Sequence, residues 1–298
     1  MNYVVYFILY GYKYNSHLCI SIIKTVIKMA KLIFITGASS GLGKATAKLF
    51  AREGWDVIAT MRSPERETDL KALDNVKLLK LDVTNPAQIE EVVQQVVKEN
   101  KVDVVFNNAG YGLAGPFEGA TDEQITTQLN TNLLGVMRVV KAFLPHFREN
   151  QGGTFVTTTS IGGLVALPFN SVYHATKWAL EGWSESLAFE LKPFGIKVKT
   201  VSPGGITTDF AGRSLVLTQH EAYNDQMQTV LQKFMDPERA KNYSTAEQIA
   251  QDVWNAVNDE SERLRYVAGE DARAMHARRL EVGSEQSRKE IENVFYGN

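Results

Sequence analysis

From Leu32 onward, short apolar runs rich in β-branched residues alternate with longer stretches whose apolar positions recur every three or four residues. The short runs are Leu32–Thr36, Asp56–Thr60, Val76–Leu81, Asp103–Phe106, Gly153–Thr158, Lys197–Ser202 and a last one near Arg265–Ala268. Runs of this length predict strands buried on both faces, and the helical stretches between them predict crossovers. In the first crossover, Leu42, Ala45, Thr46, Leu49 and Phe50 form one stripe, with Gly54 as a natural stop. Similar stripes occupy Ala87–Lys98, Asp122–Arg148, Asn170–Lys192 and Thr245–Val257, and Pro193 and Gly195 end the third of these. The pattern predicts an α/β fold: a doubly wound parallel sheet of about seven strands with helices on both faces.

Two stretches depart from the rhythm. Thr207 to Tyr243 has no clear strand and mixes Leu215, Val216, Leu217, Tyr223, Met227, Leu231 and Phe234 with polar residues. Because it follows the sixth strand, it is expected to act as a lid over the carboxyl end of the sheet, where open α/β folds bind ligands. Asp271–Asn298 is highly charged and predicts a surface helix with a loose tail. Residues 1–28 precede the alternation. Their apolar run from Tyr3 to Tyr10 is too short to cross a bilayer and lacks the flanks of a secretory signal. They are expected to be a disordered extension or to lie upstream of a start at Met29, leaving residues 29–298 as a single domain. The net charge of −2 gives no basic field for nucleic acid or an anionic membrane. With Cys19 as the sole cysteine, no disulfide framework or cysteine metal site can form, and a reducing cytoplasm is expected.

The first strand runs into Thr36-Gly37-Ala38-Ser39-Ser40-Gly41-Leu42-Gly43, and a helix begins within that turn. Gly37 suits a tight turn, while Gly41 and Gly43 permit close approach of backbone to a pyrophosphate and of helix to strand. The N–H groups and positive end of the helix dipole can then hold phosphates. The spacing T-G-x-x-x-G-x-G resembles that of the short-chain dehydrogenase/reductase family, single-domain enzymes of the Rossmann fold. Five further motifs agree in order: Asn107-Asn108-Ala109-Gly110 after the fourth strand, Asp82-Val83, Asn132, Ser160 with Tyr173-His174-Ala175-Thr176-Lys177, and Pro203-Gly204-Gly205-Ile206-Thr207-Thr208. The resemblance implies a nicotinamide cofactor held by Gly37, Ser39, Ser40, Gly41, Leu42, Gly43, Asp82, Val83, Asn108, Ala109, Gly110, Pro203, Gly204, Ile206 and Thr208, together with Tyr173 and Lys177. It also implies Asn132, Ser160, Tyr173 and Lys177 as catalytic residues, Asn132 positioning a water in a proton relay. The nearest members are those similar to 17β-hydroxysteroid dehydrogenases.

The residue types support the same chemistry. Tyr173 and Lys177 are four apart and share a helix face, where an ammonium favours phenolate and lowers the tyrosine pKa from about 10. Tyr173 can then donate a proton to a carbonyl oxygen in reduction or take one from an alcohol in oxidation. Ser160, thirteen residues earlier, can hydrogen-bond the substrate oxygen. His174 adjoins the tyrosine in sequence but points about 100° away and is expected to be structural. His146, His220 and His276 have no partners at ligand spacing, so no metal is expected.

The second strand ends at Thr60-Met61-Arg62-Ser63, without the acid that binds an NAD ribose. Arg62 can instead pair with a 2′-phosphate, so NADP(H) is expected ahead of NAD(H); the competing possibility is pairing with Glu65 or Glu67. Leu164, Val165, Leu167, Phe169, Leu215, Leu217 and Met227 suggest an uncharged, fairly apolar ketone or secondary alcohol. The alternative function is a catalytically silent cofactor sensor or scaffold, which loss of the tyrosine or lysine would mark; both are present. A sugar-nucleotide epimerase would show a different glycine spacing and a larger C-terminal domain. The resemblance implies a homodimer or homotetramer packed through Asp122–Arg148 and Asn170–Lys192.

Overall fold

The computed structural model describes residues 30–207 and 214–297, and the fold lies within Leu32–Asn298. The expectations for residues 1–28 and for Thr208 fall outside the described residues. Seven strands form one sheet: β1 (Leu32–Thr36), β2 (Asp56–Met61), β3 (Val76–Lys80), β4 (Val104–Asn107), β6 (Gly153–Thr158), β7 (Ile196–Pro203) and β9 (Arg265–Ala268). All pairs are parallel, in the order β3-β2-β1-β4-β6-β7-β9.

β1 is buried along its whole length because both faces are covered. Ile33 and Ile35 pack with α1 (Gly41–Arg52) and the helix Ala246–Asn258, a layer closed by the edge-on rings of Phe50, Trp55 and Trp254. Leu32 and Phe34 face the other way, onto α2 (Pro86–Glu99), α4 (Gly135–Glu149) and α5 (Ser171–Leu191). The chain winds from β1 out to β3 and returns on the opposite side at β4. The carboxyl ends of β1 and β4 therefore flank the point where strand order reverses, which is where such sheets leave a crevice.

Three features differ from the sequence expectations. The Asp122–Arg148 stripe is interrupted: α3 (Asp122–Leu129) passes through a π-turn at Asn130–Leu134 before α4. The stretch from Thr207 to Tyr243 contains a strand, β8 (Leu215–Leu217), which pairs with β5 (Gly112–Ala114) in a parallel ribbon. These strands have three residues each and partners about a hundred positions away, so no local periodicity marks them. The C-terminal stretch forms two helices, α9 (Glu270–Val282) and α10 (Ser284–Tyr296), divided at Gly283 with φ +79°. Its end is not loose, because Phe295 is 2% exposed and its ring lies 5.0 Å from that of Phe234.

Candidate active site

At the head of β1 the glycine turn lies directly on the loop that follows β4. Thr36 Oγ1 accepts from the Asn108 and Ala109 amides at 3.0 and 3.1 Å, and Asn108 Nδ2 donates to the Gly37 carbonyl at 3.1 Å. Gly37 has φ +69°, and a Cβ there would stand 2.7 Å from Ala109 Cα. A Cβ on Gly43 would lie 2.5 Å from Asn108 Nδ2 and closer still to the Gly37 carbonyl. Gly37 and Gly43 thus let two loops and a helix share one small volume. The N-terminus of α1 has no side-chain cap and no acid in its first turn, so its outward donors and positive dipole end suit a phosphate. Ser39 is exposed beside it, Ser40 and Gly41 are half-buried, and Leu42 is buried.

Arg62 is exposed just beyond β2, and among the described residues it forms no ion pair. Glu67 is taken by Lys44 at 3.0 Å, and Glu65 faces Arg66 at 4.0 Å. Nearby, Asp82 accepts from the Thr84 amide and hydroxyl at 2.9 and 2.7 Å. Burial works against the Asp82 carboxylate, but the Thr84 hydrogen bonds and the Arg62 charge outweigh it and hold the pKa below the usual range. Val83 is buried beneath Gly135, where a Cβ would meet the Val83 carbonyl at 3.0 Å.

Ser160, Tyr173 and Lys177 meet at the end of β6. Ser160 Oγ accepts from the Gly162 amide at 3.0 Å, and its hydroxyl interacts with the Tyr173 phenol. Lys177, one turn beyond Tyr173 on α5, is 6% exposed. Its Nζ donates to the Thr158 carbonyl at 2.8 Å and lies 5.7 Å from the centroid of the Tyr173 ring. The expected lowering of the tyrosine pKa by this ammonium is not found. Burial raises the phenol above its ordinary value, and the bond with Ser160 offsets only part of the rise. Burial likewise brings Lys177 down to about 8, opposed by the negative charge of Glu181. Desolvation therefore acts on both members of the pair, keeping the phenol protonated and weakening the hold of the lysine on its proton.

Asn132 occupies the π-turn, 1% exposed. Its Oδ1 accepts from the Tyr111 amide at 3.0 Å and its Nδ2 donates to the Tyr111 carbonyl at 2.8 Å. The amide is engaged at both ends in bracing the β4 loop, next to Gly110, where a Cβ would come within 3.1 Å of Oδ1. His174 is buried against Gly162, and its Nδ1 accepts from the Leu167 amide at 3.4 Å. Burial lowers its pKa to about 4, as suits a neutral structural histidine.

After β7, Pro203 and Gly204 stay in register with β9, the Gly204 amide donating to the Ala268 carbonyl at 3.0 Å. The Gly205 amide donates to Asp271 Oδ2 at 2.7 Å, and Ile206 bridges to Ser244. Side chains at Gly204 and Gly205 would overlap the Asp271 carboxylate and the Tyr243 ring respectively. Thr36, Tyr111, Glu181 and Asp271 are the positions missed from sequence. Thr36 opens the glycine motif and could have been read from it; Tyr111, Glu181 and Asp271 act through contacts that no local spacing reveals.

The segment that follows β8 is anchored across β5–β8 by the Thr218 hydroxyl, which donates to the Pro116 carbonyl at 2.8 Å. Beside it lies a cavity of about 330 Å³ lined by Pro116, Met227 and Leu231 and by the polar Thr218, Gln219, His220, Asn224 and Gln228. Leu164 and Val165, expected in the substrate wall, instead pack with Ile161 and Ala272 in a small core beneath the C-terminal helices.

Comparison with known proteins agrees with this architecture. The family described as short chain dehydrogenase matches residues 31–215. A 3-ketodihydrosphingosine reductase of Bacteroides thetaiotaomicron is 41% identical over 199 residues, covering 65% of this chain and 72% of that protein. A short-chain dehydrogenase structure from Streptomyces avermitilis superposes with a TM-score of 0.78 at 32% identity, over 89% of this chain and 96% of that one. An alcohol dehydrogenase from the archaeon Thermococcus sibiricus, complexed with 5-hydroxy-NADP, gives 0.67 at 27% identity, over 80% and 96%. The sheet order, the glycine turn and these likenesses lead to one conclusion: the chain belongs to the short-chain dehydrogenase/reductase family and is a nicotinamide-dependent oxidoreductase.

Proposed function

We propose that the chain interconverts an uncharged, fairly apolar ketone and its secondary alcohol, with NADP(H) preferred over NAD(H). The observation that carries this reading is the meeting of Ser160, Tyr173 and Lys177 at the end of β6, with Lys177 tied to the Thr158 carbonyl. The uncapped start of α1 and the crowded glycine turn fit a pyrophosphate, held by Gly37, Ser39, Ser40, Gly41, Leu42 and Gly43. Asp82, Val83, Asn108, Ala109 and Gly110 would take the adenine side, and Pro203, Gly204, Ile206 and Thr208 the nicotinamide side. When bound, the nicotinamide supplies or accepts the hydride. Ser160 orients the substrate oxygen. Tyr173, protonated at neutral pH through burial, donates its proton to that oxygen as it gains negative charge; in oxidation it takes the proton back. Lys177 stabilises the phenolate so formed and, by family resemblance, binds the ribose hydroxyls. Asn132 braces the loop that ends the crevice.

The guanidinium of Arg62, exposed and without an ion pair among the described residues, supports a 2′-phosphate partner, as does the NADP analogue carried by the Thermococcus sibiricus neighbour. The name of the Bacteroides thetaiotaomicron relative, a 3-ketodihydrosphingosine reductase, supports a ketone substrate, and Met227 and Leu231 are the residues of the cavity that would meet its apolar part. Trp178 and Phe189, 41% and 75% exposed on α5, favour a homodimer or homotetramer, which light scattering on the purified protein can test. Among the described residues no helix is long and apolar enough to cross a membrane. NADPH consumption across aliphatic ketones of increasing chain length, with keto acids of matched length, tests the substrate class. The reading expects kcat/KM to rise with chain length and the acids to be poor substrates. Preference for the acids would overturn it.

A further inference from the structure

Four residues beyond Lys177 on the same helix face, the Glu181 side chain is 4% exposed and holds four donors. Oε1 accepts from the Thr159 hydroxyl at 2.5 Å and the Ser202 hydroxyl at 2.8 Å. Oε2 accepts from Thr200 Oγ1 at 3.2 Å and Arg265 Nε at 2.8 Å. Each donor belongs to a segment that supplies the site. Thr159 stands between Thr158, whose carbonyl binds Lys177, and Ser160; Ser202 precedes the Pro203-Gly204 turn; Arg265 opens β9, which holds that turn in register. Gly163 packs on the Lys177 carbonyl and the Glu181 side chain, so the helix cannot slide outward without opening this contact.

We infer that Glu181 is a positioning residue: its carboxylate fixes the depth of α5 against β6, β7 and β9 and sets a negative charge one helical turn from Lys177. The inference rests on the reading of Tyr173 and Lys177 as the reacting pair. A buried carboxylate with four donors is retained only where it is fully satisfied, and removing its charge leaves Arg265 with Glu185 alone and Lys177 without the negative charge one turn away. The charged and titratable groups concerned are few. Tyr173 and Glu181 face Lys177 from its own helix. Arg265 of β9 meets Glu181 and, at 3.5 Å, Glu185. His276 of α9 lies in the field of both Arg265 and Glu181, and its pKa is lowered by burial first and by Arg265 next. His174 beside Tyr173 is neutral, and β6 and β7 offer only hydroxyls to Glu181.

Two variants of opposite electrostatic sign test the inference. Glu181→Gln keeps the shape and removes the negative charge; Arg265→Gln removes the opposing cation. In each, the pH dependence of NADPH affinity is read from quenching of tryptophan fluorescence, and the pH dependence of kcat/KM from NADPH consumption with a medium-chain aliphatic ketone. The alkaline midpoint, set by a lysine near 8 in wild type, is expected to fall by about one pH unit in Glu181→Gln and to rise in Arg265→Gln. In Glu181→Gln the loss is expected to be about tenfold at pH 9 and small at pH 6.5. Leu180→Ala, a buried neighbour without polar contacts, is expected to lower the melting temperature and leave the midpoint in place. Should Glu181→Gln fail to fold, Glu181→Asp and Arg265→Gln carry the test: Glu181→Asp retains the charge, so its midpoint should hold near that of wild type while kcat drops. Midpoints that do not move in either glutamine variant, with melting temperature alone reduced, overturn the inference. Undiminished turnover in Tyr173→Phe overturns the reading beneath it instead.

Discussion

Replacing Gly43 with alanine puts a methyl group into space that is already filled. The new carbon would lie 2.5 Å from Asn108 Nδ2, against an ordinary contact of about 3.5 Å, so the helix or the Asn108 side chain must retreat by about 1 Å. The helix cannot yield alone, because the Gly37 carbonyl crowds the same atom from the turn. Overpacking of this kind costs about 1 to 3 kcal/mol, and loss of the 3.1 Å bond from Asn108 to Gly37 adds about 1 kcal/mol. The better helix propensity of alanine returns about 1 kcal/mol. The expected net destabilisation is about 1 to 3 kcal/mol, a fall of roughly 2 to 12 °C in melting temperature for a domain of this size. The larger effect falls on the cofactor, since the displaced atoms form the floor of the phosphate turn: NADPH affinity is expected to drop at least about tenfold, or 1.4 kcal/mol. Differential scanning fluorimetry and fluorescence titration with NADPH measure the two effects. Gly54→Ala serves as a comparison, because Gly54 has φ +80° but open space around it, so it should lose stability and keep its affinity. Wild-type NADPH binding by Gly43→Ala would refute the packing argument.

Three further outcomes follow from individual residues. Arg62→Ala should weaken NADPH by roughly tenfold or more, the value of a charge-assisted bond, and leave NADH unchanged; equal loss for both nucleotides would exclude a 2′-phosphate partner. His174 is depressed to about 4 from an ordinary 6.5, so its neutral form stabilises the fold above pH 6.5 and that contribution, about 3 kcal/mol, is lost as pH falls towards 4. Urea unfolding at pH 7 and pH 5 should therefore show a steeper acid loss in wild type than in His174→Gln, and parallel losses would discount the histidine. Phe295→Ala should cost about 3 kcal/mol if the last helix is part of the core, whereas a change under about 0.5 kcal/mol would return the C-terminus to a loose tail.

Much of this molecule is legible in its sequence because the sheet is buried on both sides. Leu32–Thr36 has no exposed position, so its apolar run is unbroken and its bounds are met to the residue. The glycine turn is legible for a similar reason: Gly37 and Gly43 each meet a backbone or side-chain atom that leaves no room for Cβ. What the sequence conceals depends on distant contacts. The β5–β8 ribbon joins Gly112 to Leu215, and no periodicity marks three-residue strands. Asn132 lies mid-helix as the Asp122–Arg148 stripe predicts, but that smooth stripe disguises the π-turn at which Tyr111 holds its amide. Helix spacing brings Lys177 near Tyr173 but gives no measure of how deeply either is buried, and burial is what sets the direction of the tyrosine pKa.

The account turns on Tyr173 as the residue that moves the proton. NADPH consumption by wild type and Tyr173→Phe should be followed with the best medium-chain ketone, alongside NADPH titrations to confirm that the variant still binds cofactor. The account predicts that NADPH still binds, with at most a modest loss of affinity, while kcat is reduced by at least about a hundredfold. A Tyr173→Phe variant that retains most of its turnover would contradict it.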